Sequence, residues 1–165
     1  MYQLSVFRRA SPLALLAGAA LCRDWLVPAL ADPPAAPTPV ELTVVGGVEL
    51  NPSAQGRPSP VVVRIFELAA ARSFQAADFA ALFEHPDAAL KSDLLAQEEF
   101  MLRPGDIQLH NRDLGPRAEA LGVAAAFRDL GQVWHLIVPV TPGRRNLILV
   151  DLDRNTIRVV DQGPK

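Results

Sequence analysis

Residues 60–83, PVVVRIFELAAARSFQAADFAALF, constrain the fold more than any other stretch. Val61, Val63 and Ile65 fall on one side of a period-two pattern, and Val62, Phe66 and Leu68 on the other. A strand apolar on both faces is covered on both, which predicts a place inside a sheet. The period then changes: Phe79, Leu82 and Phe83 form an i, i+3, i+4 stripe, so a helix follows, with Ser73 as its expected cap and Asp78 in its first turn. Arg64 is the one positive charge among these apolar positions; the expected role is structural, either as an edge or snorkelling arginine or in an ion pair with a neighbour such as Asp129 or Glu98.

On either side of this stretch the chain reads as short strands. Val40 to Leu50 alternates Leu42, Val44, Val48 and Leu50 with Glu41, Thr43 and Glu49, and Gly46-Gly47 marks a bulge or a close backbone approach. A second helix is expected over Asp87 to Leu95, opened by Pro86 and carrying Leu90, Leu94 and Leu95. Glu98 to Arg103 and Ile107 to His110 read as a hairpin around Pro104-Gly105-Asp106, and residues 111–121 as a connection. Gly122 to Asp129, Val133 to Val140, Asn146 to Leu152 and Asn155 to Asp161 complete the set, with small residues in the first of these letting another layer pack close. About eight short strands with turn signals between them argue a mainly β, two-sheet sandwich with a short helical insertion after the second strand.

The N-terminus has a different character. Arg8-Arg9 precede the apolar run Leu13 to Cys22, too short to span a bilayer, and residues 1–31 read as an export signal. Two ends fit it. Ala29-Leu30-Ala31 is a small-x-small cleavage site. Cys22, the only cysteine, stands where a bacterial lipoprotein signal places its acylated residue, although Leu21 before it is not small. Residues 32–39, DPPAAPTP, are a proline-rich linker, and residues 40–165 the folded domain. From Cys22 to Val40 the linker reaches roughly 55 Å at about 3.1 Å per residue.

Charge and composition exclude several functions. Three arginines and one aspartate lie before residue 32, so of 16 basic and 18 acidic residues the remainder carries 13 and 17, a net of −4, and no basic block of the kind that binds nucleic acid. His85, His110 and His135 lie far apart in sequence, with no zinc spacing. Ser53, Ser59, Ser73 and Ser92 lack the glycine frame of a hydrolase elbow, and Glu98-Glu99 point to opposite faces of one strand. The expectation is a binding protein, with no enzyme activity, metal, cofactor or small-molecule substrate. Trp134 shares a face with Leu136, Val138 and Val140 and reads as core. The polar loop Asn51-Pro52-Ser53-Ala54-Gln55-Gly56-Arg57-Pro58-Ser59 between two strands is either a plain connection or a protruding contact loop.

Several runs together resemble a known family. Asn51-Pro52, Gly56-Arg57-Pro58-Ser59-Pro60-Val61-Val62-Val63-Arg64-Ile65-Phe66-Glu67-Leu68, Phe74 with Ala77-Asp78-Phe79, Leu94-Leu95 with Glu98-Glu99-Phe100, and Leu121-Gly122-Val123 through Phe127-Arg128-Asp129 and Trp134 are similar to the TssJ (VasD, SciN) lipoproteins of the bacterial type VI secretion system. The resemblance covers residues 41–161. It implies a transthyretin-like sandwich, acylated on a cysteine, on the periplasmic side of the outer membrane. It further implies binding to the periplasmic C-terminal part of TssM, anchoring of the secretion complex, and a contact role for the loop from Asn51 to Ser59. A chain cut after Ala31 would instead be soluble in the periplasm. The alternative reading is a soluble periplasmic transthyretin-like module for a small ligand or carbohydrate, which would have to manage with Trp134 as its only tryptophan after cleavage and no tyrosine beyond Tyr2.

Overall fold

The computed structural model describes residues 36–130 and 133–164. Cys22 and the two expected cleavage points lie outside them. Eight strands form two four-stranded sheets, ordered β4-β1-β7-β8 and β3-β2-β5-β6. In chain order these are β1 (Thr38–Gly46), β2 (Val61–Leu68), β3 (Leu94–Leu102), β4 (Ile107–Leu114), β5 (Ala120–Ala125), β6 (His135–Pro139), β7 (Asn146–Asp153) and β8 (Thr156–Pro164). Three short helices, α1 (Arg72–Ala76), α2 (Phe79–Glu84) and α3 (Pro86–Leu90), followed by a 3-10 turn, are inserted between β2 and β3.

β2 lies between β3 and β5, inside its sheet as its two apolar faces require. Val61, Val63 and Ile65 join Val40, Leu42, Val44, Val123 and Val150 in the core between the sheets. Phe66 and Leu68, on the other face, join Phe74, Leu82 and Leu90 of the helical insertion in a second apolar cluster. One sheet is thus covered by helices.

The first strand begins and ends earlier than expected. Thr38 is buried, and its hydroxyl accepts a hydrogen bond from the Gly143 N–H at 2.9 Å. Pro39 is tolerated because it sits at the strand's start, before the parallel pairing with β7 begins at Val40. The strand stops at Gly46, where the backbone packs against the β3–β4 turn: a Cβ there would lie 2.6 Å from the Arg103 carbonyl oxygen.

The helices differ from the sequence reading. Ser73 caps nothing; it lies inside α1 and its hydroxyl bonds the Asp93 carboxylate. Ala77 is extended, which splits the expected helix, and Asp78 is the cap of α2, accepting from the Ala81 N–H at 2.8 Å. The second helix stops at Leu90 rather than Leu95, because Lys91 takes a left-handed φ of 51° and Leu94–Leu102 pairs with β2. Leu94 and Leu95 consequently face opposite apolar clusters, as in a strand.

β3 and β4 are not a hairpin. They belong to different sheets, and the turn at Pro104-Gly105 is a corner between them. β4 continues to Leu114 because its whole length pairs antiparallel with β1. β5 and β6 are shorter than the apolar runs that suggested them, whereas β7 and β8 form the expected terminal hairpin.

Arg64 pairs neither with Asp129 nor with Glu98. The register sets it opposite Glu99, and its Nε donates to Glu99 Oε2 at 2.6 Å. One terminal nitrogen donates to the carbonyls of Leu82 and Phe83, both at 2.9 Å, and the guanidinium lies 4.9 Å from the Phe83 ring centre. A cation at the last turn of α2 meets carbonyls that have no partner within the helix. Arg64 therefore clamps the insertion to the sheet.

Candidate partner-binding surface

The loop between β1 and β2 is built from an anchored base and an exposed tip. Asn51 is the anchor. It is buried, takes a φ of 46°, donates through Nδ2 to the Pro60 carbonyl at 2.8 Å, and accepts at Oδ1 from the Arg128 N–H at 2.9 Å. Its own N–H reaches the Arg154 carbonyl at 2.6 Å. An asparagine side chain suits this bracket because it offers a donor and an acceptor together and tolerates left-handed backbone.

Ser53 shapes the tip. Its N–H bonds the Arg57 carbonyl at 2.8 Å, its carbonyl accepts from Gly56, and its hydroxyl lies within reach of the Gln55 and Arg57 N–H groups. Gly56, at φ 72°, makes the turn. Ala54, Gln55, Gly56, Arg57 and Pro58 are exposed, whereas Pro52, Ser53 and Ser59 are half-buried. The structure divides the nine residues accordingly: five present side chains or backbone to solvent, and Asn51 holds the loop in place.

Other connections gather at the same end of the sandwich. The β3–β4 turn adjoins Gly46, the β5–β6 connection meets Asn51 through Arg128, and the β7–β8 turn meets it through Arg154. A shallow depression of about 260 Å³ at the loop base is lined by Asn51, Pro52, Asp129, Arg154 and Asn155. Thr38, where the chain enters β1, lies at the opposite end, about 26 Å away at roughly 3.3 Å per residue.

Charges elsewhere serve the framework. Glu98 of β3 meets His110 Nδ1 at 3.1 Å and also pairs with Arg112, joining the two sheets at one side of the sandwich. Glu99 points away to Arg64, so the two carboxylates are split between faces as expected. Trp134 is half-buried just before β6, with its ring 5.5 Å from Phe79 and 4.1 Å from His135, and it touches both apolar clusters. Among the described residues, no group of three or more His, Cys, Asp or Glu side chains is placed to hold a metal ion.

Burial lowers the pKa of both His110 and His135. For His110 the cause is visible: Nε2 is buried without a hydrogen-bond partner among the described residues, so a second proton there has no acceptor. Glu98 would favour that proton, but it shares its charge with Arg112. A base with a depressed folded pKa leaves the unfolded chain binding more protons between the folded value and the ordinary one near 6.5. Stability is complete above about pH 6.5 and falls as pH drops through that window. Denaturant midpoints measured from pH 7.5 down to 5 should fall, and His110→Phe should flatten the curve. A midpoint that rises on acidification over this range would contradict the burial argument.

This is a β-sandwich with one sheet covered by helices and an exposed, internally hydrogen-bonded loop at one end. Residues 38–155 match the family model for the type VI secretion lipoproteins, described as VasD, EvfM and TssJ, and the chain belongs to that family. The structure is similar to the T6SS lipoprotein TssJ1 from Pseudomonas aeruginosa, at 34% identity and a TM-score of 0.75, covering 78% of this chain and 98% of that one. Serratia marcescens Lip, a membrane-bound component of the type VI secretion system, shares the fold, at 21% identity, a TM-score of 0.67, and 75% and 98% coverage. A third match is a chain in the structure of the T6SS protein TssM C-terminal domain (869-1107) from EAEC, at 31% identity, a TM-score of 0.63, and 74% and 98% coverage. A comparison with curated protein sequences finds no match.

Proposed function

We propose that this chain is the outer-membrane lipoprotein of a type VI secretion membrane complex, acylated on Cys22 and facing the periplasm. There it binds the periplasmic C-terminal part of TssM through a surface that includes the loop tip from Ala54 to Pro58. Its role is to hold the complex to the membrane, with no catalysis of its own. The observation that carries the reading is the likeness to a chain in the EAEC TssM structure. That chain is covered to 98% by only 74% of these 165 residues, so it is far shorter than a fragment running from 869 to 1107. A fold like this one is therefore present in a structure named for TssM. The exposed, internally braced tip supports the same reading, because a loop already ordered loses little freedom on binding.

The test uses the exported protein purified from its own membranes. Its intact mass should correspond to a chain beginning at Cys22 plus lipid; a lipid-free chain beginning at Asp32 would refute the anchor. Titration with a periplasmic TssM fragment should show saturable binding, and Arg57→Glu or deletion of Gln55 to Pro58 should weaken it about tenfold or more. Unchanged affinity in both variants would remove the loop from the interface.

A further inference from the structure

The first half of β4 is laid down with its polarity reversed. Ile107 and Leu109 face solvent, 68% and 71% exposed. His110 and Arg112, on the other face, turn toward Glu98 of β3. A slip of one residue would turn Ile107 and Leu109 inward and His110 and Arg112 outward, but it would also turn Asn111 and Asp113 inward and expose Leu114, which is buried. Five contacts oppose it. Glu98 engages both His110 and Arg112. Asp106 accepts from the Arg103 N–H at 3.0 Å and closes the turn. The Gly46 N–H bonds the Asp106 carbonyl at 2.8 Å, and the Gly105 N–H the Gly46 carbonyl at 2.9 Å, fixing that turn to β1. At Ile107, Leu109, His110 and Arg112 the register runs against the preference of the side chains for water or core, and such local conflicts mark candidate functional surfaces.

The neighbouring strands extend the apolar surface. Val45 lies opposite Ile107, and Thr43 opposite both Leu109 and Leu149. Leu109, Leu147 and Leu149 line a shallow depression of about 380 Å³, whose polar wall includes Glu41 and Asp161. The helical insertion packs on the other sheet, and among the described residues no helix covers this one. Val48, in the turn after β1, is also exposed, at 76%. Around the apolar surface Glu41 pairs with Arg145 and Asp151 with Arg158, whereas Asp113 and Asp161 enter no ion pair among the described residues.

We propose that this bare sheet face is a second part of the docking surface, and that it receives an aliphatic segment of the partner flanked by lysine or arginine. The inference rests on the reading that the partner is TssM. Aliphatic side chains would cover Ile107 and Leu109, and the basic groups would meet Asp113 and Asp161, whose charge is otherwise uncompensated.

The experiment again titrates the membrane-purified protein with the periplasmic TssM fragment. Ile107→Asp with Leu109→Asp should weaken binding about tenfold or more without lowering the melting temperature, since both side chains are exposed. Ile107→Thr with Leu109→Thr serves if the charged pair disturbs folding, and should weaken binding in the same direction. Asp113→Lys with Asp161→Lys should weaken binding and reduce its salt dependence. Wild-type affinity in the aliphatic variants, with binding still lost on deletion of Gln55 to Pro58, overturns this inference and leaves the loop reading intact. No binding by the unaltered protein overturns both. Self-association, or adsorption to phosphatidylethanolamine–phosphatidylglycerol vesicles, that the aliphatic variants abolish while TssM affinity stays unchanged would assign the face to a second copy or to lipid, and also overturns it.

Discussion

Phe74→Ala should lower the unfolding free energy by about 3–5 kcal/mol, the usual cost of emptying a buried aromatic site. Phe74 is fully buried, its ring centre 5.2 Å from that of Phe66 and 5.7 Å from that of His135. It comes from α1 and packs against β5 at Gly122, where a Cβ would sit 2.6 Å from one ring carbon and 2.7 Å from another. The two positions are therefore one fitted contact. Gly122→Ala alone should cost about 1–3 kcal/mol by overpacking. The double variant should cost less than the sum, because the added methyl enters space the ring has vacated. Urea titration of the four proteins gives the coupling. Strict additivity, or a cost below about 1 kcal/mol for Phe74→Ala, would mean that α1 is not seated as described.

Arg64→Met should cost about 2–4 kcal/mol, mostly from the carbonyls of Leu82 and Phe83 left without their donor, at about 1–3 kcal/mol each. The methionine keeps much of the stem volume, so lost packing adds little. The Glu99 partner is half exposed, and Glu99→Gln should stay within about 0.5 kcal/mol. Arg64→Lys should fall between, since one ammonium cannot serve both carbonyls and the carboxylate with the reach of a guanidinium fork. Amide exchange should quicken in residues 72–90 before it changes in β7. Uniform acceleration across both sheets would show that the clamp supports the whole domain rather than the insertion.

The two faces of β2 were legible because covering both leaves apolar residues on both sides of the strand, with Arg64 and Glu67 the only charges in it, and the terminal hairpin because its strands are adjacent in sequence. What local pattern does not carry is the partner of each strand. Glu98 to Arg103 and Ile107 to His110, separated by a proline–glycine turn, look like a hairpin from either side. Only the pairing of β3 with β2 and of β4 with β1 places them in separate sheets. The same nonlocal register chose Glu99 over Glu98 or Asp129 for Arg64. Leu94 and Leu95 satisfied a helical stripe and were taken by a ladder instead, because pairing along β2 extends that far.

The candidate surface shows the same division. The loop from Asn51 to Ser59 stood out as polar sequence between two confident strands, and the resemblance to TssJ proteins gave it a role. That Asn51 is a buried bracket depends on Arg128 and Arg154, distant in sequence. The alternation of Ile107 and Leu109 with Gln108 and His110 was visible, but alternation alone does not say which set faces water. A reader would have assigned the aliphatic set to the core.

β1 enters the domain at Thr38 and leaves it at Gly46, immediately before the loop. It is hydrogen-bonded along its length to β4 on one side and over Val40 to Gly46 to β7 on the other. Suppose tension is applied between the chain preceding Thr38 and a load held at the loop. The pull then runs parallel to the strand and across its rungs. Rungs loaded in this direction must slide together, whereas a strand peeled from its end gives them up one at a time. The strand that begins at the linker and ends at the loop is thus arranged as the stiff link of the molecule, with its grip spread over two neighbours.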